Sequence, residues 1–149
     1  FMIVPRHILG KGYVAPSDKL NIAAIGAGGK GRVDISGAYA NGANNIIALC
    51  DIDAERSMQT RTAFPKAHFY DDFRKMLDEL KDDIDAVTIS TPDHTHAVAA
   101  MAAMSLGKHV YVQKPLANTI HETRMLTETA RKNRIVSQMG NHGASNPTQ

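Results

Sequence analysis

The sequence predicts an α/β fold in which a parallel sheet of six strands carries helices on both faces. Short apolar strands alternate with helical segments along almost the whole chain, the pattern of β-α-β units with right-handed crossovers. Several strands, such as Asn45–Cys50 and Ala86–Ser90, are apolar at consecutive positions, as expected when helices cover both sides of a parallel sheet. The first strand also runs straight into a glycine-rich turn that opens a helix.

Residues 1–18 have neither helical nor strand periodicity, and Pro5, Gly10, Gly12 and Pro16 punctuate them. They read as an extended arm ahead of one domain over 19–149. Lys19–Ile25 is the first strand. Past the glycine turn, Arg32–Ala40 reads as a short helix with Val33, Ile35, Ala38 and Tyr39 as its larger non-polar residues. Asn45–Cys50 is the second strand, and Asp53 is the expected N-cap of a helix over Ala54–Thr62, because its carboxylate can accept free backbone N–H groups. His68–Tyr70 is a brief third strand. The helix Asp72–Leu80 sets Phe73, Met76, Leu77 and Leu80 on one stripe at i, i+3, i+4 and i+7.

Ala86–Ser90 is the fourth strand. An Ala/Met-rich helix follows from His96 to Leu106, with Gly107 placed to stop it. The run Ala97–Met104 reads as core packing. His109–Gln113 is the fifth strand, Thr119 and Glu122 have capping-box spacing for a helix to Lys132, and Ile135–Met139 is the sixth strand. The expected order is 3-2-1-4-5-6, which places ligands outside the carboxyl ends of the strands.

Composition narrows the partners. With 43% hydrophobic and 21% charged residues the chain has ordinary globular usage. Its formal charge of +2 comes from interspersed signs, and without a basic stripe or any Trp, nucleic-acid binding is not expected. Cys50 is the single cysteine, so neither an internal disulfide nor a cysteine metal cluster can form. That suits a reducing compartment and is compatible with an oxidising one. No stretch approaches the roughly 20 apolar residues that span a bilayer.

The sharpest motif is Gly26-Ala27-Gly28-Gly29-Lys30-Gly31. Gly26, Gly28 and Gly31 fit G-x-G-x-x-G between a strand and a helix. The first glycine permits the tight turn, the second lets backbone approach a pyrophosphate, and the third allows close helix–strand packing. The phosphates would meet N–H groups at the positive end of the helix dipole. A merely glycine-rich βα turn is the alternative. Asp51 ends the second strand 20 residues after Gly31, where a carboxylate can accept from the adenosine ribose hydroxyls. An acid there favours NAD, because it repels a 2′-phosphate. Lys30 and Arg32 pull toward NADP, since either could reach that phosphate, although Arg32 also suits a solvated first turn.

Two further segments fall where nicotinamide is expected: Ser90-Thr91-Pro92-Asp93-His94-Thr95-His96 after the fourth strand, and Lys114-Pro115 after the fifth. Together with the glycine turn, Cys50-Asp51-Ile52-Asp53 and Gly107-Lys108-His109-Val110-Tyr111-Val112-Gln113-Lys114-Pro115-Leu116, they resemble the Gfo/Idh/MocA oxidoreductases over essentially the whole chain. The resemblance implies a Rossmann-type domain that binds NAD(P), with Thr91, Pro92 and His96 beside the cofactor. It implies Lys114 near the reactive nicotinamide carbon, bonded to a substrate hydroxyl and able to share in proton transfer, with Pro115 shaping the turn through a cis peptide. The family pattern has Glu-Lys-Pro where this chain has Gln113-Lys114-Pro115, which puts the handling of the proton in question.

Asn141 and His142 could touch the nicotinamide amide or the substrate, or be ordinary loop residues. His94 and His96 do not share a helix face, and no metal site is expected. Val4–Gly10 resembles the segment after the twin-arginine signal of exported bacterial members, which implies export to the periplasm, with a cytoplasmic location as the alternative. The chain begins at Phe1 and ends at Gln149, and both ends look cut. The resemblance implies a C-terminal α/β domain that completes the active site for a sugar, cyclitol or polyol and forms homo-oligomer contacts. The rivals are an NAD-dependent glycosidase of the same superfamily, using transient oxidation and elimination, and a non-catalytic dinucleotide-binding or scaffold domain.

Overall fold

In a computed structural model of the chain, which describes residues 14–141, the predicted alternation is complete. In chain order the elements are β1 (Asn21–Ile25), α1 (Lys30–Tyr39), β2 (Asn45–Cys50), α2 (Met58–Ala63), β3 (His68–Tyr70) and α3 (Phe73–Leu80). There follow β4 (Ala86–Ile89), α4 (His96–Ser105), β5 (His109–Gln113), α5 (Ile120–Asn133) and β6 (Ser137–Gly140). All five strand pairings are parallel, and the order is β3-β2-β1-β4-β5-β6. The chain therefore winds outward one way from β1 through β3, then the other way from β4 through β6. Between β1 and β4 the loops diverge and leave a crevice at the carboxyl edge.

Alternation along the strands divides the core. Ala23, Ile25, Ala48, Cys50, Val87 and Ile89 face the side covered by α3, α4 and α5. Ile22, Ala24, Ile46 and Leu49 face α1, where Ile35 packs on them. Ala97, Ala99, Ala100, Ala103 and Met104 of α4 are buried, as a helix apolar on most sides must be. Small side chains there let α4 lie close to the sheet.

Differences from expectation lie at element ends. Lys19 and Leu20 stay outside β1, and Leu20 is exposed. Helix α1 begins at Lys30, two residues early, because Gly29 takes φ 53°, ψ −119° and turns the chain directly into it. Asp53 caps a turn rather than a helix: its Oδ1 accepts from Arg56 N at 2.8 Å, and the helix starts only at Met58. The sixth strand is shifted to Ser137–Gly140. The arm contributes one 3-10 turn at Pro16–Asp18; residues 1–13, with the Val4–Gly10 segment, and His142 lie outside the described residues. Among the described residues no helix is long and apolar enough to cross a membrane.

Candidate functional site

The glycine turn is built by close approach. Gly26 has φ +86°, and a Cβ there would stand 2.6 Å from the Ser90 carbonyl oxygen. At Gly31 a Cβ would stand 1.8 Å from the Gly26 carbonyl oxygen, so helix α1 can meet the turn only without a side chain. Over Gly28 and Gly29 lies the side chain of Arg56: a Cβ would come within 2.8 Å of its Cγ at Gly28 and 3.1 Å of its Nη2 at Gly29.

Asp51, at the end of β2, reaches back to this turn. Its Oδ2 accepts from the backbone N–H of Ala27 at 2.8 Å and of Gly28 at 2.9 Å, and its Oδ1 accepts from Asp53 N at 3.0 Å. Two carboxylate oxygens offer about four lone-pair sites, so capacity for a ribose hydroxyl remains. Gly26 N donates to Cys50 O and Gly31 N to Gly28 O. Among the described residues this leaves the N–H groups of Gly29, Lys30 and Arg32 without an acceptor, at the N-terminus of α1 where an anion is favoured.

A crevice of about 560 Å³ opens above these groups. Of the predicted residues, Gly26, Gly28, Lys30, Asp51, Thr91 and Pro92 line it. Arg56 and Ile52 line it too, and sequence reasoning missed both. Arg56 carries no motif of its own; the Asp53 turn delivers it to the glycines. Ile52 is 91% exposed, an apolar side chain left in solvent beside the acid, which its place after Asp51 does not by itself signal. Lys30 lines the crevice, but its ammonium pairs with Asp34 one turn along α1. Arg32 is exposed, without a side-chain hydrogen bond or ion pair among the described residues.

His96, expected beside the cofactor, is a buried side chain between two turns. It is 1% exposed, with Nδ1 2.6 Å from the Pro115 carbonyl oxygen and Nε2 2.8 Å from the Thr91 carbonyl oxygen. Each ring nitrogen lies within hydrogen-bond distance of a carbonyl oxygen, and the ring N–H donates according to its tautomer, so the ring sits between the Thr91-Pro92 turn and the Lys114-Pro115 turn. The Lys114–Pro115 peptide is cis. Lys114 is exposed at the end of β5 and donates its backbone N–H to Gln113 Oε1 at 3.2 Å. Asn141, exposed beyond β6, donates its N–H to Met139 O at 2.9 Å and does not line the crevice.

Burial raises the pKa of two titratable side chains in this part of the sheet. The Cys50 thiol is pushed up to about 12 by desolvation first and then by the charges of Asp51, Asp72 and Asp71; a neutral thiol under the crevice is no nucleophile. The Tyr111 phenol is raised by burial and by the Asp34 carboxylate, with the Lys30 ammonium opposing. Among the described residues no group of three His, Cys, Asp or Glu could hold a metal ion.

A parallel sheet of this order, a glycine turn with unpartnered amides and an acid at the end of β2 together define a dinucleotide-binding Rossmann domain. The chain belongs to the Gfo/Idh/MocA oxidoreductase family with NAD-binding Rossmann fold, whose model it matches over residues 20–141. It is 34% identical over 143 residues to a glycosyl hydrolase family 109 protein of Shewanella pealeana, covering 89% of this chain and 31% of the relative. It is 29% identical over 129 residues to a 4-carboxy-2-hydroxymuconate-6-semialdehyde dehydrogenase of Sphingobium, covering 87% and 40%. In fold it resembles the scyllo-inositol dehydrogenase of Lactobacillus casei solved with bound NAD(H) and scyllo-inositol. The TM-score is 0.77 at 20% identity, over 87% of this chain and 38% of that one. The chain thus spans 40% or less of the length of these relatives.

Proposed function

We propose that this chain is the cofactor half of an NAD-dependent enzyme that moves hydride between nicotinamide and a secondary hydroxyl carbon of a sugar, cyclitol or related polyol. The observation that carries the reading is the crevice wall itself: the same opening is floored by the glycine turn and Asp51 and edged by Thr91-Pro92, and His96 sits between that turn and Lys114-Pro115. Family membership and the polyol dehydrogenase fold neighbour support it.

NAD, when bound, supplies the hydride acceptor. The amides of Gly29 and Lys30 hold the diphosphate, with Arg56 adding positive charge from above. Asp51 accepts from the adenosine ribose, and its charge disfavours a 2′-phosphate there, which selects NAD over NADP. Lys114 is the catalytic residue: its Nζ binds the substrate hydroxyl and takes its proton as hydride leaves the same carbon. The rest of the protein supplies the substrate-facing surface.

The test is NADH fluorescence titration and NAD-dependent oxidation of a panel of cyclitols and sugars by the full-length protein. Lys114→Ala is expected to cost about a hundredfold or more in kcat, with NADH affinity unchanged. Equal turnover by the variant would remove Lys114 from the chemistry and favour a domain that only binds dinucleotide. The glycosyl hydrolase relatives support a second reading, a glycosidase that keeps its NAD. Release of nitrophenol from aryl glycosides by protein as purified, with no nicotinamide added, distinguishes it.

A further inference from the structure

Asp34 is the only acid of α1, and its side chain is 4% exposed. It stands between the carboxyl end of β4, where Ser90 lines the crevice, and the carboxyl end of β5. Its Oδ2 accepts from Ser90 Oγ, just past β4, at 2.7 Å and from Gln113 Nε2, the last residue of β5, at 3.0 Å. Its Oδ1 receives the Lys30 ammonium. Gln113 in turn presents Oε1 to the backbone N–H of Lys114 at 3.2 Å.

These contacts are coupled by donor and acceptor arithmetic. A carboxylate only accepts, so Asp34 selects the NH₂ end of the Gln113 amide. The carbonyl end is then left facing Lys114 N–H. Turning the amide over would set oxygen against oxygen at Asp34 and N–H against N–H at Lys114, two repulsions in place of two bonds. Gln113 is 5% exposed, so water cannot relieve the mismatch at low cost. The neighbouring strand gives the amide its space: a Cβ on Gly140 would lie 2.7 Å from Gln113 Nε2.

We infer that Asp34 is a positioning residue for Lys114. It fixes the orientation of the Gln113 amide, through it the backbone of Lys114, and through Ser90 the neighbouring end of β4. The inference rests on the reading of Lys114 given above. It also assigns a reason for glutamine at 113: a glutamate there would bring a second carboxylate oxygen to where the Gln113 NH₂ now meets Asp34.

The test compares full-length wild type with Asp34→Asn, Gln113→Glu and the double variant. The readout is acetylation of Lys114 by acetic anhydride well below the melting temperature, quantified by peptide mass spectrometry against Lys66. Lys66 is exposed beside β3, at the opposite edge of the sheet. Each single variant should shift the Lys114/Lys66 ratio by about threefold or more. In the double variant the amide introduced on α1 can donate to the carboxylate introduced at the end of β5, whose other oxygen again receives Lys114 N–H. Its ratio should therefore return to within about twofold of wild type.

Single variants that lower the melting temperature but leave the ratio at its wild-type value overturn the inference. So does a double variant displaced as far as the two singles combined. Gln113→Glu that folds only together with Asp34→Asn is also an expected result, and a double variant that stays unfolded is a contrary one. Gln113→Met, which removes the amide without adding charge, should shift the ratio as the other single variants do, and an unchanged ratio counts against the inference. Protection of wild-type Lys114 by NADH is read in the same experiment. Its absence would count against the proposed function alone.

Discussion

A Cβ added at Gly31 would stand 1.8 Å from the carbonyl oxygen of Gly26, and because the obstacle is backbone, no rotamer change relieves it. Helix α1 would have to lift from the turn, moving the Gly29 and Lys30 amides that are assigned to the diphosphate. Gly31→Ala should therefore destabilise the fold by about 1–3 kcal/mol. It should also weaken NADH binding at least tenfold, measured by urea unfolding and fluorescence titration of the same preparation. Unchanged affinity would mean that the amides are not the anchor. This glycine was legible in the sequence because its spacing has a steric cause. Asp34 was not, since an acid on a short helix resembles any solvated charge until Ser90 and Gln113 are seen to converge on it. His96 was half legible: its place after the Thr-Pro turn was visible, but its position between two backbone carbonyls depends on where β5 ends.

Among the elements, α5 shows how strongly local chemistry fixes a boundary. Thr119 Oγ1 accepts from Glu122 N at 3.1 Å, and Glu122 Oε2 accepts from Thr119 N at 2.9 Å, the full capping box expected from spacing alone. Thr119→Ala should cost about 1 kcal/mol of stability and leave NADH affinity unchanged, because no residue of α5 lines the crevice. A loss of affinity comparable with the loss of stability would show that α5 helps set the site. Where such signals are weak, the expected boundaries slipped. Helix α2 has no side-chain cap of its own, so Asp53 suggested a start that the turn at Arg56 postpones. Strand β6 carries exposed Ser137, Gln138 and Met139, and lacks the apolar run that marks the inner strands.

For the molecule as a whole, topology gathers what the chain separates. Gly26, Asp51, Thr91 and Lys114 end different strands, and one sheet order brings those ends to a common edge. The parallel sheet was readable because its buried strands have a distinctive apolar pattern, and its order was the natural expectation for a doubly wound α/β topology. Substrate choice was not readable, because among the described residues only Lys114 is assigned to the hydroxyl, and one amine does not distinguish a sugar from a cyclitol or another polyol. The most direct measurement is a crystal structure of the full-length protein grown with NAD. The diphosphate is predicted to lie on the Gly29 and Lys30 amides under Arg56, with the adenosine ribose hydroxyls on Asp51. Dinucleotide density elsewhere, or Arg56 still folded over Gly28 and Gly29 so that the diphosphate is excluded, would contradict the account.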